Sequence, residues 1–261
     1  MRGKKLLTFF LTGFLLSAIL FSCQKTSSDA KKDFDQSIAQ GGNRASSRIQ
    51  GKPVFDPNHR VDFPLVFPIK GMDYKIINDV PESRLPNAPR TYRGANARHM
   101  GIDFYTGKCG LDVVSPADGW IIDLTEKEKF PDSKTRDAIL KITDKAGITP
   151  LPILDNLYGI SLVIFHGWDE NGKGYYCRLS HMEKPARNFK IGDYVARGEV
   201  IGYIGASGTS SQFKPAKEKT PGCHLHFEWH VLSNGEDIPM GFDEHDSSVI
   251  KNLYTHIFSK R

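Results

Sequence analysis

Four residues have the types and spacing to hold a metal ion: His224 and His226, two apart, and His99 and Asp103, four apart. On a β-strand side chains alternate between faces, so His224, His226 and Glu228 share one face while Leu225, Phe227 and Trp229 share the other. The apolar face is expected in a core and the polar face toward a shared polar space. Positions i and i+4 also share a face on a strand, and Gly101 between His99 and Asp103, with Gly94 nearby, argues against a helix there. Zinc takes neutral imidazole nitrogens at about 2.0–2.1 Å and carboxylate oxygens at similar range. His99, Asp103 and His226 would form a three-ligand set that leaves a fourth position open for water, the catalytic arrangement and not the closed structural one. The four cysteines, Cys23, Cys109, Cys177 and Cys223, contain no C-x-x-C pair, so a thiolate zinc site has no support. A Cys109–Cys177 disulfide is one expectation and buried free thiols the other; Cys223 is expected as a packed thiol.

The elements that must position these residues are short and β-prone. Val113-Val114, Gly119-Trp120-Ile121-Ile122, the run 160–165 and the run 200–204 are apolar stretches bounded by Gly, Pro and Asp. Residues 133–146 break this pattern: Ala138, Ile139, Ile142 and Ala146 recur at helical spacing, with Ser133 as an N-cap and Gly147 as a stop. The expected fold is all-β or β-rich, with a helical insertion near 133–146. A terminal helix is expected over residues 247–258, from Val249, Ile250, Leu253, Ile257 and Phe258. Residues 51–95 carry seven prolines, and 63–69 should pack as an extended edge segment.

Together these motifs resemble the lysostaphin-like (LytM-type) zinc endopeptidases. His99-Met100-Gly101-Ile102-Asp103 and His224-Leu225-His226-Phe227-Glu228 look like that family's paired metal motifs. Between them, in order, the runs 113–119, 162–167 and 189–202 look like its intervening strands and hairpin, so the likeness spans about residues 94–232. It implies an antiparallel open sandwich of the barrel-sandwich-hybrid kind and a Zn²⁺ ion held by His99, Asp103 and His226. It further implies that a water activated by that ion loses its proton to His224, with His181 across the cleft orienting water or stabilising the oxyanion. The family's middle motif, tyrosine, any residue, then His-Leu, has two alignments here. Tyr176-Cys177-Arg178-Leu179 puts Arg178 where histidine belongs; Leu179-Ser180-His181-Met182 keeps the histidine, and the distance to Gly192-Asp193 favours His181. The loop 207–222 is longer than the family's, and Cys223 stands where proline is common. His230 shares the strand face of His226 and is expected at the cleft edge; His59, His166, His245 and His256 are expected to be exposed without function. The implied substrate is the stem peptides or cross-bridges of bacterial cell-wall peptidoglycan.

The chain's beginning fits that setting. Arg2, Lys4 and Lys5 precede an apolar run over 6–21, shorter than the roughly 20 apolar residues of a membrane span, ending at Leu20-Phe21-Ser22-Cys23. This looks like a bacterial lipobox with Cys23 as the lipidated residue, Phe21 being its departure from the small residue that is usual there. The expected organisation is a lipoprotein signal over 1–22, a flexible tether over 23–50, an extension over 51–95 packed on the domain, the peptidase domain over 96–245 and a tail over 246–261. The protein is then a monomeric, membrane-anchored lipoprotein of the cell envelope, facing the periplasm or the cell exterior. The formal charge of +5 falls to about +2 without the three cations of the signal, and no dense basic patch is present, so nucleic acid is not an expected partner. Three rivals remain: a LytM-like module that regulates other wall hydrolases, which the complete metal set disfavours; a carrier-type hairpin sandwich suggested by 192–201, which lacks the modifiable lysine; and metal storage, which would need more ligands.

Overall fold

The computed structural model describes residues 55–127 and 129–259. The expected signal over 1–22, the expected tether over 23–50 and Cys23, the expected lipidation residue, lie outside the described residues. The compact unit Asp56–Arg261 holds every element below, and no helix of the described residues is long and apolar enough to cross a membrane.

The strands are β1 (Ile102–Tyr105), β2 (Asp112–Val114), β3 (Gly119–Thr125), β4 (Ile160–Trp168), β5 (Gly174–Pro185), β6 (Tyr194–Val195), β7 (Val200–Ile204), β8 (His224–Ser233) and β9 (Glu236–Pro239). They form one sheet in the order β1-β8-β5-β4-β3-β6, with β9 on β8, and with β2 on β7, which also pairs with β5. All these pairings are antiparallel. The β-rich fold read from the β-prone runs, and the antiparallel sheet that the resemblance implies, are therefore what the chain adopts. Helices α1 (Ser133–Ala146), α2 (Leu151–Tyr158), α3 (Ala216–Lys219) and α4 (Ser247–Phe258) complete it.

The caps show how local chemistry sets these bounds. Asp132, not Ser133, caps α1: its carboxylate accepts from Thr135 N at 2.7 Å. Gly147 ends the helix at φ 71°, which only glycine adopts freely. Helix α2 was not expected. Pro150 and Pro152 suggest a turn, yet Pro152 sits in the first turn, where its missing N–H costs nothing. Leu157 from α2 then packs with Leu140 and Phe130 in a small satellite core. On α4 the buried face is Ile250, Tyr254, Ile257 and Phe258, whereas Val249 and Leu253 are both 40% exposed. The sequence expectation had included those two and missed Tyr254.

The main core gathers Leu225, Phe227 and Trp229 of β8 with Phe104 of β1 and with Leu65, Phe67 and Ile69 of the extended segment. Fully burying one such side chain stabilises by about 1.5–3 kcal/mol. The segment 63–69 packs as expected, joined to Val113 by an isolated bridge at Ile69 and held by the hydrogen bonds Leu65 N to Ile257 O, Val66 N to Pro116 O and Val114 N to Pro68 O.

Two expectations about side chains are corrected. The disulfide joins Cys109 to Cys223, while Cys177 is the free, buried thiol. Cys177 points from β5 into the core, where His166 Nε2 lies 3.1 Å from its sulfur. His166 is therefore completely buried and not exposed, and burial pushes its pKa down to about 4. The Cys109–Cys223 bond closes a loop of 114 residues, for which chain-entropy reasoning gives stabilisation of about 4–5 kcal/mol. A Cys109→Ser/Cys223→Ser variant should unfold at clearly lower denaturant concentration, and an unchanged midpoint would rule out a stabilising role for the bond.

Candidate metal centre

The site is built where β1 meets β8. Their register sets Asp103 directly opposite His226, so both side chains leave the same face of the sheet. His99 enters from the turn before β1, its backbone paired with Asn87 and Ala88 (His99 N to Ala88 O 2.9 Å, Asn87 N to His99 O 2.8 Å). Gly101 between the two ligand positions is required by close approach: a Cβ there would lie 2.3 Å from Phe227 O.

His99 Nε2 lies 2.9 Å from Asp103 Oδ1 and 2.9 Å from His226 Nδ1, and His226 Nδ1 lies 2.8 Å from Asp103 Oδ1. The three residues are buried, and their ligand atoms form a group that could hold a metal ion. The opposite nitrogen of each ring is occupied. His99 Nδ1 donates to Leu85 O at 2.9 Å, and His226 Nε2 donates to Glu228 Oε1 at 2.8 Å. Such outer contacts fix which nitrogen faces the metal. Arg90 donates to the second oxygen of Asp103 at 3.2 Å.

His181 and His224 line the same cavity of about 750 Å³. Each donates its Nδ1–H to a backbone carbonyl, His181 to Ser207 O at 2.8 Å and His224 to Gly222 O at 2.9 Å. In a neutral imidazole this leaves Nε2 as the lone-pair nitrogen. His224 Nε2 stands 3.8 Å from Asp103 Oδ1, and the ring of His181 is 4.6 Å from that of His224 between centroids. His181 adopts φ 64°, an unusual value for a residue with a side chain. It sits where β5 leaves β8, after Ser180 opposite His226, and takes up β7, with Met182 opposite Ile204. Arg178 lies elsewhere: it faces Glu228 across the β5–β8 pair, its Nε 3.7 Å from that carboxylate and its guanidinium over the Tyr158 ring.

Glu228 is the residue whose part the sequence reading did not assign. It is 1% exposed and receives His226 Nε2, Tyr158 OH at 2.6 Å and His230 Nε2 at 3.0 Å. The alternation His224, His226, Glu228, His230 on one strand face was the signal for it. His230 is not at the cleft edge; it is buried behind Glu228 and tied to Asp237 at 2.8 Å. Of the other histidines, His245 and His256 are exposed and His59 is partly covered.

Burial alone disfavours every charge in this cluster. It pushes His99 down to about 4 against the pull of Asp103. It also holds His181 well below the usual histidine range, helped by His224 and His226, and lowers His224 despite Asp103. Burial would raise Asp103, yet His99 and His224 keep its carboxyl well below the ordinary value. His226 goes the other way: hydrogen bonds to Asp103 and Glu228 outweigh burial and push it up to about 9. Two buried carboxylates thus flank one ring that binds a proton tightly, a place suited to a cation. The donor set of two imidazoles and one carboxylate, with outer partners in place, fits zinc.

Residues 153–239 match the model of peptidase family M23. That stretch includes His181, His224 and His226; His99 and Asp103 precede it. No curated protein matches the chain. Among solved structures, a zinc-containing peptidase from Vibrio cholerae is 22% identical (TM-score 0.36), with 74% of this chain and 41% of that one covered. The catalytic domain of a prophage-encoded M23 protein, EnpA, from Enterococcus faecalis is 16% identical (TM-score 0.36; 70% and 93% covered). Lysostaphin is 17% identical (TM-score 0.32; 76% and 55% covered). The chain thus spans less than two thirds of the Vibrio cholerae peptidase and of lysostaphin.

Proposed function

We propose that the chain is a zinc-dependent endopeptidase of the M23 type that hydrolyses peptide bonds in bacterial cell-wall peptidoglycan. The observation that carries this reading is the pairing of a His99–Asp103–His226 donor cluster with two further histidines whose Nδ1–H groups are committed to backbone carbonyls. A purely structural metal site has no need of two such bases beside it.

Bound between His99 Nε2, Asp103 Oδ1 and His226 Nδ1, zinc would polarise the scissile carbonyl and acidify a water. The protein's own groups do the rest. His224 accepts the water's proton at Nε2, the carbonyl of Gly222 holding its Nδ1–H and hence its tautomer. His181 also begins with a lone pair at Nε2, so it can donate to the developing oxyanion or the leaving amine only after it has taken up a proton. That sharpens its role: it serves first as a proton acceptor. Arg90 holds Asp103 Oδ2 and leaves Oδ1 for the metal.

The surroundings support an exported protein. A lipidated Cys23 after a signal over 1–22 would place the domain in the cell envelope on the tether 23–50, with the extension over 51–95, the peptidase domain over 96–245 and a tail to 261. The Cys109–Cys223 bond favours an oxidising compartment. The test is direct. The purified chain should hold zinc near one per molecule and cut isolated wall peptides; a chelator should abolish cutting and added zinc restore it. A chain that takes up no metal, or cuts equally well after chelation, sinks the proposal.

A further inference from the structure

The segment before β1 supplies three guanidinium groups to the cavity wall, Arg84, Arg90 and Arg93. They are not equivalent. Arg90 is committed to Asp103 Oδ2 and to Ser83 O at 2.8 Å. Arg93 is 7% exposed and donates to Arg98 O at 2.7 Å, but its buried Nε has no hydrogen-bond partner. The Arg84 guanidinium makes no hydrogen bond or ion pair with any described residue, the backbone N–H of Arg84 being bonded to Pro81 O at 2.9 Å. It is held by stacking: its guanidinium carbon lies 3.6 Å from the centroid of the Tyr105 ring. Tyr105 stacks in turn on His224, with centroids 4.3 Å apart and planes 1° from parallel.

This three-layer stack sets the chemistry. A guanidinium fixed face-on to a ring keeps its N–H donors at the edge, in the fork geometry that matches a carboxylate. Its rotamer freedom is already spent, so little is lost when an anion arrives. None of the cavity's three carboxylates pairs with it: Asp103 is held by Arg90, Asp137 by Arg136 at 3.4 Å, and Asp144 is exposed on α1. Arg93, which also lines the cavity, adds a second positive charge to the same wall. A half-buried, pre-organised guanidinium with no anion of its own, one ring away from His224, is an anion-recognition element.

We propose that Arg84 determines specificity by binding a free carboxylate on the peptide substrate, so that the site selects an acidic peptide over a neutral one such as a run of glycines. This rests on the peptidase reading above and narrows the peptides that the site takes. The carboxylate could be a side-chain or a terminal one; the chemistry is shared, and separate substrates distinguish the two.

The test uses the full zinc-loaded chain and three versions of one peptide: the parent acid, the side-chain amide and the terminal amide. The wild type should prefer the acid to one of the amides by roughly tenfold or more in kcat/KM, mostly through KM, as expected for a charged hydrogen-bonded pair. In Arg84→Gln that ratio should collapse to within about twofold, and Arg84→Lys should restore part of it as a point charge without the fork. All three peptides meet the same enzyme, so partial misfolding does not alter the ratio. An absent preference in the wild type, or one that persists in Arg84→Gln, overturns the proposal. If the wild type cuts no peptide, the peptidase reading has failed, and calorimetric binding of the acid and amide peptides still decides: equal affinities in wild type and Arg84→Gln rule out the anion site.

Discussion

An alanine at position 224 should leave zinc near one per chain and lower kcat by roughly a hundred- to ten-thousand-fold, whereas an alanine at position 226 should remove the metal and the activity together. The two histidines sit two residues apart on one strand face, and only their outer contacts separate them. His226 brings Nδ1 to within 2.8 Å of Asp103 Oδ1 and 2.9 Å of His99 Nε2, inside the donor triangle. His224 Nε2 stands 3.8 Å from the same carboxylate oxygen, outside it. Deleting His224 therefore takes away a base and no ligand, while deleting His226 leaves two donors, too few to hold zinc firmly. His181→Ala should behave like His224→Ala. Metal analysis of each purified variant beside its turnover on wall peptides makes the comparison. Loss of zinc in His224→Ala, or full turnover in either His181→Ala or His224→Ala, would refute the division between ligand and base.

That division was partly legible in the sequence because a β-strand enforces a period of two. His224, His226 and Glu228 had to share a face whatever the rest of the chain did, and β1 and β8 then set Asp103 opposite His226. The choice between Arg178 and His181 was not settled by periodicity. A regular strand sends residues three apart to opposite faces, and it is the break at His181, with φ 64° and a change of partner from β8 to β7, that turns its ring into the cavity. Such a break has no compositional mark beyond its neighbours. The disulfide was misread for a related reason. Cys177 is committed to the core side of β5, which left Cys109 to meet Cys223, and sequence separation carries no information about that. Leu85 O and Arg90, which hold the outer sides of His99 and Asp103, come from irregular proline-rich chain with no period to read.

Glu228, the residue without an assigned part, should have a large effect on stability. In Glu228→Ala the Arg178 guanidinium, a side chain only 18% exposed, keeps no close anion except Asp123 at 3.9 Å. His230 loses one of its two carboxylates, Tyr158 OH its acceptor, and His226 Nε2 its partner. Breaking a buried ion pair by deleting one member costs about 3–5 kcal/mol, and losing the outer partner of a ligating histidine weakens metal binding by roughly 10–100-fold. Glu228→Gln should fall between the wild type and Glu228→Ala, because its amide oxygen can still accept from His226 Nε2 while the charge facing Arg178 is gone. Denaturant unfolding of the metal-free variants isolates the first effect, and competitive zinc titration isolates the second. If Glu228→Ala unfolds at the wild-type midpoint, the charge on Arg178 is already balanced by other groups. If its zinc affinity is also unchanged, the orientation of His226 comes from the β1–β8 register alone. Arg178 would then have no function through Glu228. Against that outcome stands the geometry: the arginine that competed with His181 for the middle motif lies opposite the buried carboxylate that receives the outer nitrogen of His226.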